Sequence, residues 1–565
     1  MSRVGLVIPP LPDATPNLVL TGFMATGKTT VGRFSAEILG MPFVDLDQAL
    51  ERRWGASVPQ LLRSRGESWF RHQEAVLLEE ASRLSGTVIA TGGGAVLSEP
   101  QFRRLVHSAV PMVLRAEVAE LERRLAMGGE RPLLDDPGGA SLAQIMAQRE
   151  QAYHRAGDLV ETTGRPPRDV AGQVAAIYRG RSGGPVSSIT LKGMGWQSEV
   201  LLGPGAAERI GEVVIRLLPQ TRRAFLVVDG GLEAATIEGV ARSLRSSGLD
   251  VRIRQQPGGE PAKSLSAVAA VWGWLLEAEA ARDDVVVALG GGALLDAAGF
   301  AAATYARGVP HVNVPTTVLG MADAAVGGKT AINLGGVKNP VGVFRHPVAV
   351  VEDPGLLGAL SRPGARAGLA EAIKAAIVGS RLVLAQLGER EANWLEGPGL
   401  SWLIEQAVRV KVACVQADPE ESGVRVALNL GHTFAHGLES ASEYSISHGD
   451  AVGLGLLAAA RLGAELGISA AGLGGEIRAA LGRVGLPVEL PSGLDRVAVA
   501  NAIRRDKKRR SGRQVFIVPG PTEGVVVVDD LDLENALEPL WGLEAGSLEE
   551  TQPDGELSAA RESSR

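Results

Sequence analysis

The stretch Gly22-Phe-Met-Ala-Thr-Gly27-Lys28-Thr29 constrains the fold of this chain more than any other. It fits G-x-x-x-x-G-K-[ST] between a short apolar strand, Leu18-Val-Leu, and the start of an apparent helix. A glycine turn wraps its backbone N–H groups around a phosphate where a strand delivers it to a helix N-terminus. That placement commits the surrounding residues to a parallel sheet with crossover helices. The rhythm continues to Tyr178, with Val88-Ile-Ala and Val110-Pro-Met-Val-Leu as further strands between polar helical segments. In such a turn Gly22 and Gly27 free the backbone and Lys28 neutralises the β/γ charge. The Thr29 hydroxyl binds Mg²⁺, and Thr30 completes the ATP-contacting set. A chance lysine after a glycine turn would not explain the strand and helix on either side.

At 565 residues the chain has room for about three or four domains. Residues 14–178 read as the P-loop domain. Residues 179–187, with Arg179-Gly-Arg-Ser-Gly-Gly-Pro185, have linker chemistry. Over 188–353 the βαβ rhythm resumes, Phe225-Leu-Val-Val ending in Asp229 and Val285-Val-Val-Ala-Leu ending in Gly290-Gly-Gly292. Helical patterning dominates 354–543, closed by a strand-like Val515-Phe-Ile-Val, and the polar stretch 546–565 is expected to be disordered. The fold class is thus α/β: a parallel-sheet P-loop kinase domain, a dinucleotide-binding α/β domain, then a mainly helical metal-binding domain.

A net charge of −7 gives no general drive toward nucleic acid or membrane, and neither is expected as a partner. The single cysteine, Cys414, suits a reducing cytosol. Met1 to Pro16 offers only a short apolar patch before Pro9, Pro10 and Pro12, unlike a signal peptide. Ala451 to Ala460, broken by Arg461 and Glu465, is too short to span a bilayer and reads as a buried helix. A cytoplasmic enzyme of small molecules is the expectation.

Around the phosphate loop, Phe43-Val-Asp45-Leu-Asp47 places two carboxylates at i, i+2, pointing the same way if the strand persists. Arg71, Thr91-Gly92-Gly93-Gly94, a lid-like Arg131-Pro-Leu-Leu, and Arg149 before Tyr153 follow. Two or more arginines suit a carboxylate, and Asp47 suits sugar-like hydroxyls. On these residues, 17 to about 175 resembles the shikimate kinases. The resemblance implies that Asp45 helps place Mg²⁺ through water and that Arg131 closes on the phosphates of ATP. It also implies that Asp47, Arg71, Gly93, Gly94 and Arg149 bind shikimate, with Asp47 as base or hydroxyl-orienting group. Lys28, Asp47 and Arg131 form its catalytic set. A gluconate kinase would keep the phosphate loop but not this arginine and glycine set. Ala25-Thr26 departs mildly from the small residues usual inside that loop.

The second half carries a different chemistry. Gly290-Gly-Gly292, with Asp296 four residues on, could seat a pyrophosphate, though without the usual G-x-G-x-x-G spacing. Asp229, Glu260, Lys263, Thr316 and Thr317 are further candidates for dinucleotide contact. Asp323, Gly327-Gly-Lys329-Thr330, Asn333 and Lys338-Asn339 suit a phosphorylated, polyhydroxylated substrate. Three of the eight histidines, His432, His436 and His448, then follow Glu371 and Lys374. Imidazoles plus one carboxylate suit a catalytic zinc that keeps an open position. Bare spacing favours His432 and His436, one helical turn apart, but does not settle which two imidazoles bind.

From 188 to about 540 the chain resembles the 3-dehydroquinate synthases. The resemblance rests on G-G-G-x-x-x-D, Tyr305-x-Arg307-Gly308, P-T-T, Asp323 with G-G-K-T, Lys338-Asn339, G-L-A-E-x-I-K, Asn429-x-Gly431-His432-Thr433 and His448-Gly449. It implies Zn²⁺ (or Co²⁺) on Glu371, His432 and His448. It implies NAD⁺ held by Asp229, Glu260, Lys263, Gly291, Gly292, Asp296, Thr316, Thr317, Lys329 and Lys338. Arg307, Asp323, Asn339, Lys374, Arg425, Asn429, His436 and Lys507 would hold substrate. Of the whole set, Asp323, Lys329, Lys374 and His436 would serve the chemistry. The basic run Arg504 to Arg510 is then a phosphate- and carboxylate-binding element. Ala359-Leu-Ser-Arg-Pro-Gly364 departs from the family's Thr-Leu-Pro-x-Arg-Glu. Together the two resemblances imply a bifunctional enzyme of aromatic amino acid biosynthesis that oligomerises through its synthase half. The remaining alternatives are another sugar phosphate cyclase in the second half, or a scaffold with one non-catalytic half.

Overall fold

The computed structural model describes residues 3–127, 141–358, 362–388, 397–470, 472–505, 509–510 and 513–544. In the first half, five parallel strands run in the order Phe43–Asp45, Val88–Ala90, Asn17–Gly22, Ala109–Arg115, Asp158–Glu161. The central strand Asn17–Gly22 is buried along its whole length, as a strand covered by helices on both faces must be. Lys28–Leu39 and Pro167–Arg181 cover one face, packing Val31, Ala36, Val170 and Val174 against it. The latter helix runs through Arg181, over residues whose composition suggests linker.

Seven strands form the second sheet, ordered Asp250–Gln256, Arg223–Asp229, Val285–Gly290, His311–Pro315, Ala349–Glu352, Trp196–Leu202, Ser187–Gly193. All pairs are parallel except the last, an antiparallel edge. After Arg223–Asp229 the chain steps outward to Asp250–Gln256, then returns to the opposite side as Val285–Gly290. The order reverses there, which opens a crevice at the strands' carboxyl ends.

The helical part gathers around His448–Glu465, whose Ala451 to Ala460 segment is buried, as its sequence predicts. Among the described residues no helix is long and apolar enough to cross a membrane. Arg513–Pro519 lies in a four-stranded antiparallel sheet with Arg3–Leu6 at one edge, paired residue for residue with Val525 to Val528 of the strand Val525–Asp529. The apolar patch at the start of the sequence is therefore a strand of the second half's sheet, a pairing no local signal announces.

Glu352 ends a buried strand at 0% exposure, and neither carboxyl oxygen has a hydrogen-bond partner among the described residues. Burial pushes its pKa well above the ordinary carboxylate range. An acid whose folded pKa is raised costs nothing below its unfolded pKa and progressively more above it. Glu352→Met is therefore expected to raise stability by about 1–3 kcal/mol at pH 8, with the gain shrinking toward pH 4. Denaturant melts across that range check it, and a pH-independent or negative effect would contradict the buried, unpartnered carboxyl.

Candidate active sites

The first site sits at the carboxyl ends of the first sheet. Gly27 (φ +96°) precedes the Lys28–Leu39 helix, and Ala25 takes a left-handed φ of +63°, which an L side chain adopts at a cost of about 1–2 kcal/mol. Arg124 Nη1 donates to the Ala25 carbonyl at 3.2 Å and braces the turn. Lys28 Nζ donates to the carbonyls of Gly22 and Phe23, each at 3.0 Å, inside the loop it would serve. Thr29 Oγ1 donates to Asp45 Oδ2 at 2.6 Å. Thr30 is exposed on the helix's first turn.

The strand does not persist through Asp47. It ends at Asp45, whose Oδ1 caps the next helix by accepting from the N–H groups of Asp47 and Gln48. The two carboxylates consequently face different partners, Asp45 toward Thr29 and Asp47 toward Glu74 and the triple glycine. A Cβ on Gly92 would lie 2.6 Å from Glu74 Oε1 and 2.8 Å from Asp47 Oδ1. One on Gly94 would meet Arg71 Nη1 at 2.1 Å, so the glycines let these polar groups converge on bare backbone. Arg71 Nη1 pairs with Glu74 at 2.9 Å, and Arg149 Nη1 and the Tyr153 hydroxyl both donate to the Gly93 carbonyl. Asp47, Arg71, Glu74, Gly93, Gly94 and Arg149 all line one cavity of about 100 Å³. Arg131 lies outside the described residues.

In the second half, Asp229 and Gly290 flank the crevice where the strand order reverses, and Thr316 N–H donates to the Gly290 carbonyl. Gly291 precedes the helix that begins at Gly292, with Thr317 against it. Lys263 pairs with Asp296 on that helix, and Glu260 accepts from Asn333 at 2.6 Å. Asp229, Gly290 and Thr316 stand at the carboxyl ends of their strands. Lys338 lies over the Tyr444 ring at 4.7 Å, and Asn339 beside it, in the hairpin of strands Lys329–Leu334 and Val337–Phe344, takes φ +53°. Arg307 stands apart, exposed on a left-handed turn (φ +64°).

Three helices meet at the remaining cluster. Glu371, 2% exposed, comes from Arg362–Gly379, His432 from His432–Ala441, and His448 from His448–Glu465. Nε2 of His432 and of His448 lie 3.3 and 3.2 Å from Glu371 Oε1. The three residues' ligand atoms fall within 4.8 Å of one another. His432 Nδ1 donates to the Leu430 carbonyl at 3.1 Å, and His448 Nδ1 faces Glu439 at 3.3 Å. Each imidazole is thereby oriented from behind with Nε2 forward, as metal-binding histidines are. A carboxylate and two such imidazoles fit zinc or cobalt with an open position. His436 instead packs edge-on to His432, ring centroids 5.8 Å apart.

Lys374 Nζ pairs with Glu371 and reaches Asp323 at 3.7 Å, while Lys411 Nζ contacts Asp323 at 2.6 Å. Burial opposes ionisation of Asp323, but the two lysines hold its pKa down to about 2. Lys329 pairs with Glu421, whose other oxygen accepts from Asn429 at 2.7 Å. Arg425, 1% exposed, donates to the carbonyls of Pro419 and Gly327, so its guanidinium braces the loop. Lys507 lies outside the described residues. Sequence reading passes over Glu74, Lys411, Glu421 and Glu439; the last three meet Asp323, Lys329 and His448 from other elements, which no local spacing announces.

These two arrangements define a chain of two enzymes, a P-loop kinase followed by a dinucleotide-binding α/β enzyme with a metal-binding helical domain. The shikimate kinase family model matches residues 24–178. Those for the N-terminal and C-terminal parts of 3-dehydroquinate synthase match 253–367 and 368–509. The 3-dehydroquinate synthase of Symbiobacterium thermophilum is 38% identical over 349 residues, 61% of this chain and 97% of that protein. That of Nocardia farcinica is 40% identical over 339 residues, 58% and 89%. The solved structure of the 2-epi-5-epi-valiolone synthase ValA from Streptomyces hygroscopicus, with NAD⁺ and Zn²⁺ bound, is 26% identical. It covers 62% of this chain and 98% of its own, at a TM-score of 0.55. The chain belongs to the 3-dehydroquinate synthase family and carries a shikimate kinase domain ahead of it, which makes it a bifunctional enzyme of the shikimate pathway.

Desolvation, with Asp45 and Glu74 nearby, raises the Asp47 pKa to about 7 against the opposing pull of Lys28. If Asp47 must be ionised for phosphoryl transfer, kinase kcat/KM falls as pH drops through that value. The acid limb of the pH profile is expected near pH 7 and absent in Asp47→Asn, whose residual rate should be flat; an unshifted limb near pH 4 would contradict this.

Proposed function

We propose that the first half transfers the γ-phosphoryl group of ATP to shikimate, giving shikimate 3-phosphate. The second half converts 3-deoxy-D-arabino-heptulosonate 7-phosphate to 3-dehydroquinate and phosphate, with NAD⁺ and Zn²⁺ or Co²⁺ as cofactors. The observation that carries the reading is the convergence of Glu371, His432 and His448 beside the Lys374–Asp323–Lys411 chain, in one polypeptide with the arginine-lined kinase cavity.

In the kinase, Lys28 would leave its own loop carbonyls for the phosphates, while Thr29, and Asp45 through water, would hold Mg²⁺. Arg71 and Arg149 take the substrate carboxylate, and Asp47 orients or accepts the proton of the attacking hydroxyl. Phosphoryl transfer needs little more than this positioning and charge neutralisation.

In the synthase, Glu371, His432 and His448 hold the cation. When bound, the cation and the nicotinamide supply polarisation of a substrate hydroxyl and reversible hydride removal at its carbon, without net redox change. Asp323, kept ionised by Lys374 and Lys411, faces that hydroxyl. Lys329, Asn339 and Asn429 bind the substrate's anionic and hydroxyl groups, with Glu421 ordering Lys329 and Asn429. The ketone so formed acidifies the neighbouring C–H. Phosphate would leave, the substrate's own phosphate taking the proton; return of the same hydride to the same carbon would restore the hydroxyl, and the ring would then open and reclose by an intramolecular aldol step. The 38–40% identity to 3-dehydroquinate synthases, against 26% to the valiolone synthase, favours this substrate over another sugar phosphate.

Lys28→Ala is expected to lower kinase turnover at least about 10²-fold and leave the synthase intact, and His432→Ala to do the reverse. Coupled assays of shikimate 3-phosphate and of phosphate release on the same preparations check both. A fully active synthase in His432→Ala would remove the metal assignment.

A further inference from the structure

We infer that the two halves form one permanently docked unit, joined by a polar interface on the first half of the Gly397–Ala417 helix rather than by the 182–186 connection. Trp402, Glu405, Gln406 and Arg409 share one face of that helix, at i, i+3, i+4 and i+7. The indole N–H of Trp402 donates to the Ser85 carbonyl at 2.8 Å, and Gln406 Nε2 donates to the same oxygen at 3.0 Å. The Glu405 carboxylate accepts from the N–H and hydroxyl of Thr15, at 3.1 and 2.8 Å, and lies 2.6 Å from the Ser85 hydroxyl. Arg409 donates Nε to the Pro12 carbonyl at 2.8 Å and Nη1 to the Arg83 carbonyl at 2.6 Å.

The contacts of Gln406 and Arg409 are dry, whereas Trp402, Glu405 and Thr15 also border a cavity of about 880 Å³ between the halves. Trp402, Gln406 and Arg409 are 4%, 4% and 2% exposed, and Ser85 and Thr87 opposite them 2% and 0%. Desolvation lowers even the Arg409 pKa, to about 10. Interfaces between mobile domains are polar and solvated, whereas here backbone carbonyls of one half satisfy buried donors of the other. A guanidinium held in this way by backbone carbonyls of the other half marks a surface that does not open in the folded chain. The second tie is the Arg3–Leu6 strand, which reaches back to pair with Val525–Asp529.

Both active sites hang on this helix. Its kinase-facing residues grip the start of the Val88–Ala90 strand, which leads directly into Gly92, Gly93 and Gly94. Two residues past Arg409, Lys411 reaches Asp323 in the other site.

The test is a full-length chain with a protease site placed between the exposed Gly183 and Gly184. After native cleavage the fragments are expected to co-elute on size exclusion at the volume of the uncleaved chain, down to nanomolar concentration. In the cleaved protein, Trp402→Ala with Glu405→Gln should raise the dissociation constant about tenfold or more. Should that pair fail to fold, Glu405→Gln alone, which keeps the side chain's shape, carries the same comparison. Separation of the wild-type fragments, or dissociation untouched by the substitutions, overturns the inference, and neither result depends on the activities.

Discussion

The synthase half is organised around one buried carboxylate. Taking Glu371 out of water costs several kcal/mol unless its charge is met, and three partners from separate positions meet it: Lys374 one turn along its own helix, and His432 and His448 from two others. The helices must therefore converge, and glycine lets them. A Cβ on Gly455 would stand 2.2 Å from the Gly431 carbonyl oxygen, and one on Gly449 2.3 Å from Ala367 Cα. Small residues at those crossings bring the two histidine-bearing helix starts onto the carboxylate.

Neighbouring charge also divides the labour between the two sites. Asp47 and Asp323 are both half-buried, yet their pKa values move in opposite directions, to about 7 and about 2. Asp45 and Glu74 stand beside the first, Lys411 and Lys374 beside the second. Under the proposed mechanism, an aspartate of raised pKa suits proton exchange near neutrality, and one held ionised by two lysines suits a fixed acceptor.

Much of this architecture is legible in local sequence. The strand–glycine–helix turns at Gly22 and Gly290 announce parallel sheets, and the apolar run after His448 announces a buried helix. Periodicity does not reach further. Spacing pairs His432 with His436, but the fold brings His448 to Glu371 because the helix crossing, not the helical turn, sets that geometry. Asp45 and Asp47 share a strand by sequence, whereas the Asp45 carboxylate finds two N–H groups to cap and starts a helix instead. Lys411, Arg425 and Arg3–Leu6 owe their places to partners about 90, 100 and 520 residues away, beyond any pattern that repeats over a few positions. Arg131 and Lys507 lie outside the described residues, and their roles rest on the family resemblance.

Metal analysis of the extensively dialysed full-length chain, set beside Glu371→Gln, tests the central claim most directly. The account predicts about one zinc or cobalt per chain in the wild type, its loss in the variant, and unchanged kinase activity in both. Equal metal content in the two proteins would contradict it.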